Sequence, residues 1–248
     1  MEPLQILILS TASFIAGLYG TLVGGGALLT IPLLIILGLP VHNAIATNRL
    51  GMLGIVLAGF IKFREKKLIN YQLGLKVGLA AMAGALIGSN LMLAVDPAIL
   101  KNLVVVITLI VLTILVARPG LGEKHVSNIS GRRKRFGVAL GFFVGVYAGF
   151  YSGGTGTFYS YLLILVFGQT FLESAGTRKI MSFLTAAASA LVFIFRKAVF
   201  YDFAAVIFLS AFIGSYIGAH YSQRIGNRNI KRLFIIIVLA LTLKLMFT

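Results

Sequence analysis

Six long stretches of the sequence carry almost no charge, and they limit the fold more than any other feature. They cover residues 4–22, 71–95, 98–117, 137–151, 203–221 and 230–248. Most are close to the about 20 apolar residues that a helix needs to cross the hydrocarbon core of a bilayer. Hydrophobic residues make up 59% of the chain, more than a water-soluble domain can bury. The sequence therefore predicts an all-α polytopic membrane protein.

Composition also excludes several kinds of site and partner. The chain has no cysteine, which excludes disulfides, thiolate metal sites and cysteine nucleophiles. Three histidines and six acidic residues are too few and too scattered for a metal cluster, and no cofactor is expected. The formal net charge of +16 is expected to orient the protein and contact membrane lipids, and not to bind nucleic acid. The first apolar stretch lacks the flanks of a signal peptide, so we expect a retained span.

The second half of the sequence repeats the first at a constant offset of 130 residues, without gaps. Glycines carry this signal best, because apolar identities arise easily by chance in such a composition. The glycine pairs in register are Gly24/Gly154, Gly26/Gly156, Gly38/Gly168, Gly84/Gly214 and Gly88/Gly218. We predict a first membrane repeat over residues 1–117, a basic cytoplasmic linker over 118–135 and a second membrane repeat over 136–248.

Each repeat is expected to contain four to five transmembrane or re-entrant segments and to cross the membrane an odd number of times. The second segment of the first repeat, residues 27–38, rises only about 18 Å as a helix, too little to span alone. Whether segments two and three form tilted spans or a re-entrant hairpin stays open. An odd number of crossings makes the repeats inverted, which is a transporter architecture. A duplicated bundle without a transport role is the alternative.

The basic loops predict the orientation. If both termini lie outside, residues 62–67, the linker and residues 224–232 all lie in the cytoplasm. This placement agrees with the excess of Lys and Arg in cytoplasmic loops of membrane proteins. We therefore expect an integral protein of the cell membrane with its N- and C-termini outside.

Glycine clusters interrupt both repeats at membrane depth. The first is GGG at residues 24–26, and the second lies in YSGGTGTFYS at residues 151–160. Irregular backbone at this depth is tolerated only where it is buried in protein or lines a wet cavity. Each cluster therefore predicts a short helix whose free N–H groups point into the bilayer interior. Two such helix N-termini predict an anion site.

Basic and polar residues follow each short segment, in AIATNRL at 44–50 and SAGTRKI at 174–180. A charged side chain within the membrane costs about 2.5 kcal/mol or more, which indicates a bound anion or a polar cavity. Snorkelling of these side chains to the lipid headgroups is the alternative. The candidate substrate-binding residues are Gly24, Gly25, Gly26, Thr47, Asn48, Arg49, Tyr151, Ser152, Gly153, Gly154, Thr155, Gly156, Tyr159, Thr177, Arg178 and Lys179.

The segment GLYGTLVGGGALLTIPLLIILGLPVHNAIATNRL resembles the signature of the sulfite exporter TauE/SafE family, also called the toluene sulfonate uptake permeases. The resemblance lies in the glycine cluster, Pro32, Gly38 and the Ala46–Thr47 pair. The second half repeats the pattern in degenerate form, with Thr155 between two glycines and Leu162 in place of the proline. The resemblance implies a membrane carrier for sulfite, sulfonates, sulfoacetate or other small organic anions, without choosing among them.

The sequence also bears on the energy source and on two rival functions. The chain lacks a GxxxxGK[ST] loop, so ATP hydrolysis is not expected. Glu173 and His42 are the candidates for coupling to a proton. An anion channel would use the same cations and amides along a continuous pore. An intramembrane enzyme using Ser152 and His220 is disfavoured by the GxxSG spacing, and GxxxG-spaced glycines would permit a homodimer.

Overall fold

The computed structural model describes residues 1–117, 129–222 and 239, and this part of the chain is helical without strands. Its helices are α1 (Pro3–Gly20), α2 (Gly26–Ile36), α3 (Val41–Gly51), α4 (Leu53–Glu65), α5 (Tyr71–Ala94), α6 (Pro97–Ala117), α7 (Gly131–Phe150), α8 (Thr155–Leu165), α9 (Phe171–Phe195) and α10 (Tyr201–His220). Residues 118–128 of the predicted linker, the basic loop 224–232 and, apart from residue 239, the apolar stretch 230–248 lie outside the described residues.

Five segments of the described chain are long and apolar enough to cross a membrane. They are Pro3–Gly20, Val41–Glu65, Tyr71–Ala94, Phe171–Phe195 and Tyr201–His220. Val41–Glu65 comprises α3 and α4, which are interrupted at Met52. The prediction of an all-α polytopic membrane protein is confirmed.

The first glycine cluster lies where the chain reverses between α1 and α2. A Cβ added to Gly26 would lie 2.9 Å from the carbonyl oxygen of Ala16, so the start of α2 packs on the end of α1. Leu34, near the end of α2, packs in the same apolar cluster as Leu9. The two helices therefore form an antiparallel hairpin with residues 21–25 at its tip.

The second half contains the matching hairpin of α7 and α8. Phe167, just after α8, packs against Gly137 near the start of α7. The side chain of Arg133 also donates a hydrogen bond to the carbonyl of Leu165 at the end of α8. In each half, the chain thus reverses between the first and second segments. From the sequence alone, a re-entrant hairpin of the second and third segments is one of two possibilities.

Backbone conformations agree at several positions that are 130 residues apart. Residues with positive φ recur at the offset of 130, at Gly24 and Gly154 (79° and 76°), Gly38 and Gly168 (96° and 67°), and Lys67 and Lys197 (53° and 53°). The segment Val41–Glu65 likewise corresponds residue for residue to α9, Phe171–Phe195. The two halves therefore share local structure as well as sequence.

Small residues let the long helices of the two halves pack closely. A Cβ added to Gly84 or Gly88 of α5 would clash with carbonyl oxygens of α7. Gly214 and Gly218 of α10 make the same close approach to α1. Glycine at such positions lets membrane helices come into backbone contact. These contacts fix the two hairpins against the partner half.

Candidate functional site

The tips of the two hairpins touch each other. A Cβ added to Gly156 would lie 2.7 Å from the Cα of Gly24, closer than packed carbon atoms allow. The hydroxyl of Thr157 donates to the carbonyl of Gly24 at 2.6 Å. Gly24 has φ 79°, which a side chain would strain. Glycine is needed here for both the turn and the contact, and the contact brings the N-termini of α2 and α8 together.

A cavity of about 80 Å³ lies beside the touching tips. This volume has room for several water-sized groups, and therefore for a small oxyanion. Nine of the predicted binding residues line it, namely Gly24, Gly25, Gly26, Arg49, Ser152, Thr155, Gly156, Arg178 and Lys179. The structure thus brings the glycine clusters and the three cations to one place.

The cavity also has lining residues that the sequence reasoning missed, among them Met52, Val56, Ser182 and Ala186. Met52 and Ser182 are repeat equivalents, as are Val56 and Ala186. In each half, these positions come three and seven residues after a lining cation, so they lie on the same helix face. Helical periodicity counted from the cations would have identified them.

Three cationic side chains at the cavity are buried. The exposed fractions are 7% for Arg49, 1% for Arg178 and 3% for Lys179. Within residues 1–117 and 129–222, none of the three has a carboxylate within 4.0 Å, and the ion pair found there is Lys62 with Glu65. Snorkelling would place the charged ends at the surface and does not fit these exposures. The cavity therefore carries positive charge that no described acid neutralises.

Arg178 is held by backbone groups of both tips. Its Nη1 donates to the Gly156 carbonyl at 2.7 Å and to the Ser160 hydroxyl at 3.1 Å. Its Nη2 donates to the carbonyls of Thr21 at 2.8 Å and Gly20 at 3.4 Å. One guanidinium therefore joins the tip of the first hairpin to the start of α8.

Arg49 is buried in the same cavity but is bonded differently. Its Nε and Nη2 have no hydrogen-bond partner among the residues that the structure describes. Ser152 also lines the cavity, and its hydroxyl likewise has no hydrogen-bond partner among the described residues. Lys179 lies between these cases, since its Nζ donates to the Thr21 hydroxyl at 3.0 Å and approaches the Ile55 carbonyl at 3.5 Å.

Thr47 and Thr177, predicted as substrate ligands, lie outside the cavity lining. The hydroxyl of Thr47 accepts the backbone N–H of Phe200 at 2.9 Å, and that of Thr177 accepts the N–H of Asn70 at 3.1 Å. The donors are repeat equivalents that immediately precede α10 and α5. Each threonine thus holds a helix start of the opposite half.

Asn48 also lies outside the lining and is fully buried. Its side-chain oxygen accepts the hydroxyl of Thr30 in α2. Arg178 and Ser160 are the repeat equivalents of this pair and are bonded to each other. The same contact between a long helix and a short helix therefore occurs in both halves.

The remaining predicted ligands, Tyr151, Gly153, Gly154 and Tyr159, also lie outside the lining. Tyr151 and Tyr159 are fully buried, and the Tyr151 hydroxyl lies 2.6 Å from that of Thr108. The Gly153 carbonyl accepts the hydroxyl of Tyr147. Gly154 is the N-cap of α8 in the left-handed conformation.

The two candidates for proton coupling lie at helix starts, away from the cavity lining. The carboxylate of Glu173 accepts the backbone N–H of Thr170 at 2.8 Å in a capping box that begins α9. The Nε2 of His42 lies 2.9 Å from the carbonyl oxygen of Val95. Coupling through either residue stays a prediction. In the described chain, no three His, Asp or Glu residues are grouped as metal ligands.

The sequence is similar to bacterial proteins named as probable membrane transporters. It is 26% identical to one of Haemophilus influenzae, over 98% of this chain and 94% of that protein. It is 28% identical to ORF9 of Sinorhizobium sp, over 97% and 92%, and 31% identical to YjnA of Bacillus subtilis, over 98% and 100%. These names describe transporters and not enzymes, in agreement with the sequence prediction.

A family model described as sulfite exporter TauE/SafE matches residues 9–245. This range contains both glycine clusters and the three basic residues of the cavity. The chain therefore belongs to the sulfite exporter TauE/SafE family, as the resemblance in its glycine-rich segment predicted.

Proposed function

We propose that this protein is a secondary transporter that carries a small sulfur-containing or organic anion, such as sulfite, a sulfonate or sulfoacetate, across the cell membrane. The observation that carries the proposal is the burial of Arg49, Arg178 and Lys179 around one cavity without a carboxylate partner in the described chain. Unpaired charge within a membrane is costly, and a bound anion offsets that cost. The family name supports a sulfur oxyanion as the substrate.

Arg49 is proposed as the principal ligand of the anion. Its Nε and Nη2 lack partners in the described structure, and a guanidinium can hold an oxyanion through two parallel hydrogen bonds. The hydroxyl of Ser152 supplies a further donor. Gly26 and Ala27 line the cavity in the first turn of α2, where backbone N–H groups lack partners within the helix.

The two halves are proposed to be inverted repeats that give alternating access. Gly51 at the end of α3 contacts Ala204 of α10, and Gly54 in α4 contacts Phe208, so the segment Val41–Glu65 runs in the same direction as α10. Helix α1 also runs parallel to α10. The short connection at 66–70 reverses the chain, so α5 runs antiparallel to α4. Helix α5 is parallel to α7, and α7 is therefore antiparallel to α1. The two hairpins thus point toward each other, and relative movement of the halves would open the cavity to either face.

The basic end of the molecule is proposed to face the cytoplasm, with both termini outside. The Nζ of Lys66 donates to the carbonyl of His220 at 2.9 Å, so α4 and α10 end together. Gly176 near the start of α9 packs against Leu68, which places that helix start at the same end. The basic first turn of α7, residues 131–135, lies beside the end of α8 and therefore also at this end. Membrane proteins retain such clusters in the cytoplasm.

Uptake into proteoliposomes tests the transport proposal. Wild-type protein should take up labelled sulfite in a saturable manner and exchange it for unlabelled sulfite. Arg49→Gln should reduce uptake by about tenfold or more, because hydrogen bonds to a charged group are lost. Arg196→Gln is the matched control, since Arg196 is exposed at the end of α9, and should stay within about twofold of wild type.

Two outcomes would contradict this proposal. One is uptake of sulfite, methanesulfonate and sulfoacetate no greater than in protein-free vesicles, with folded protein present. The other is an Arg49→Gln variant that transports as wild type does. Flux that rises linearly with concentration, without exchange, would indicate an anion channel instead of a carrier.

A further inference from the structure

A second, apolar groove lies next to the anion cavity. It has a volume of about 370 Å³ and lies between α4, α5 and α9. Leu57, Phe60, Leu75 and Phe183 are among its walls. The volume is within the range of pockets that bind small molecules. The groove can therefore hold a hydrocarbon chain of moderate length.

The groove adjoins the anion cavity through two shared residues, Val56 and Lys179. The amino group of Lys179 is bonded to Thr21 at the tip of the first hairpin. The Lys179 ammonium also lies over the ring of Phe63, with Nζ 5.9 Å from the ring centroid. A basic side chain thus lies at the junction of an apolar groove and a polar cavity.

The outer wall of the groove belongs to the surface that faces the hydrocarbon. The exposed fractions are 36% for Leu57, 47% for Leu75 and 43% for Phe183. These residues lie on three of the segments that are long and apolar enough to cross a membrane. The groove is therefore open toward the hydrocarbon core and shares Val56 and Lys179 with the inner cavity.

We propose that this groove binds the hydrocarbon chain of an amphiphilic anion whose charged head enters the anion cavity. The inference rests on the proposed function and names a substrate class for the same site. Charge complementarity selects this occupant, because the apolar walls end at Lys179 and at the cavity of Arg49. A neutral acyl chain would fill the groove but leave these cations without an anion.

A series of straight-chain alkanesulfonates, from methanesulfonate to octanesulfonate, tests the groove by competition with labelled sulfite uptake. Each methylene that becomes buried should strengthen inhibition about threefold to fourfold in the wild type, until the groove is full. Leu75→Trp, which fills the groove, should remove this gain and leave inhibition by methanesulfonate within about twofold of wild type.

Leu91→Trp is the matched control, because Leu91 lies on the same helix, is 52% exposed and is not a groove residue. Wild type and both variants are compared in the same lipid, so partitioning of the longer sulfonates into the bilayer cancels. Leu57→Trp fills the groove from α4 and should act as Leu75→Trp does. It replaces that variant if Leu75→Trp does not fold.

The inference would be overturned if inhibition depended equally on chain length in the wild type, the groove variants and Leu91→Trp. Membrane lipid would then be the occupant of the groove. The two proposals fail differently. Absence of sulfite uptake by the wild type contradicts transport of that anion. In that case, binding of the same sulfonates is measured by the thermal stabilisation of the purified protein. Stabilisation that rises with chain length in the wild type but not in Leu75→Trp would still support the groove.

Discussion

Arg49 and Arg178 have the same side chain, line the same cavity and are both buried, yet their surroundings differ. Arg178 donates to carbonyls of both hairpin tips and to the Ser160 hydroxyl. Arg49 keeps two nitrogens without a partner in the described chain. The comparison teaches that burial of a cation alone does not identify a ligand. What matters is how many of its donors the protein has already used.

The difference follows from unequal residues at equivalent positions. Asn48 is the repeat equivalent of Arg178, and Lys179 is that of Arg49. Among the described residues, the side chain of Asn48 bonds to Thr30, within its own half. The longer Arg178 makes the matching bond and also reaches the tip of the other hairpin. The second half thus contributes Arg178, which joins the two tips, and the first half contributes Arg49, which has donors without a partner in the described chain.

The largest effect is expected from Arg178→Gln, which removes the bonds between the tips. It removes several hydrogen bonds from a charged donor, each worth about 1.5 to 3 kcal/mol. The midpoint of thermal unfolding should fall by about 5 °C or more. A thermal scan of the purified protein measures this fall. Arg196→Gln should stay close to wild type, and an unchanged midpoint for Arg178→Gln would remove its scaffold role.

A smaller fall in the unfolding midpoint is expected from Gly24→Ala, which tests the contact of the tips without changing a charge. The added Cβ would lie 2.5 Å from the Cα of Gly156 and would push the tips apart. Gly38→Ala is the matched control, because Gly38 also has positive φ but open space around its Cβ position. Sulfite uptake should be lost in Gly24→Ala and largely kept in Gly38→Ala. Equal losses would assign the effect to backbone strain alone.

Glu173→Gln tests whether the second half also supplies proton coupling. Glutamine can keep the capping box at the start of α9, so the fold should be preserved. Uptake driven by a pH gradient should be abolished, whereas exchange of labelled for unlabelled sulfite should continue. Unchanged driven uptake would exclude Glu173 from the mechanism, and loss of both activities would indicate a structural role.

The smallest effect is expected from the paired variants Thr47→Val and Thr177→Val. Each removes one hydroxyl that accepts a backbone N–H at a helix start of the other half. Both should lower stability by about 1 kcal/mol, with sulfite affinity unchanged. Thermal unfolding and titration with sulfite measure the two quantities. A selective loss of sulfite affinity in either variant would restore that threonine as a ligand.

Hydropathy, the glycine pattern and the basic residues within apolar segments could predict the helical membrane fold and nine of the residues that line the cavity. They could not separate Arg49 from Arg178, because the bonds of Arg178 come from segments distant in sequence. Thr47 and Thr177 look like ligands beside cations, but a hydroxyl can equally accept a backbone N–H. The reversal between α1 and α2 also depends on tertiary packing, since hydropathy does not record direction.

Titration of purified protein with sulfite tests the central claim most directly, by comparing wild type with Arg49→Gln. The account predicts that Arg49→Gln weakens sulfite binding about tenfold or more, while its unfolding midpoint stays within about 2 °C of wild type. Arg196→Gln, measured in parallel, should bind as wild type does. Wild-type sulfite affinity in a folded Arg49→Gln protein would contradict the claim that the cation with free donors holds the anion.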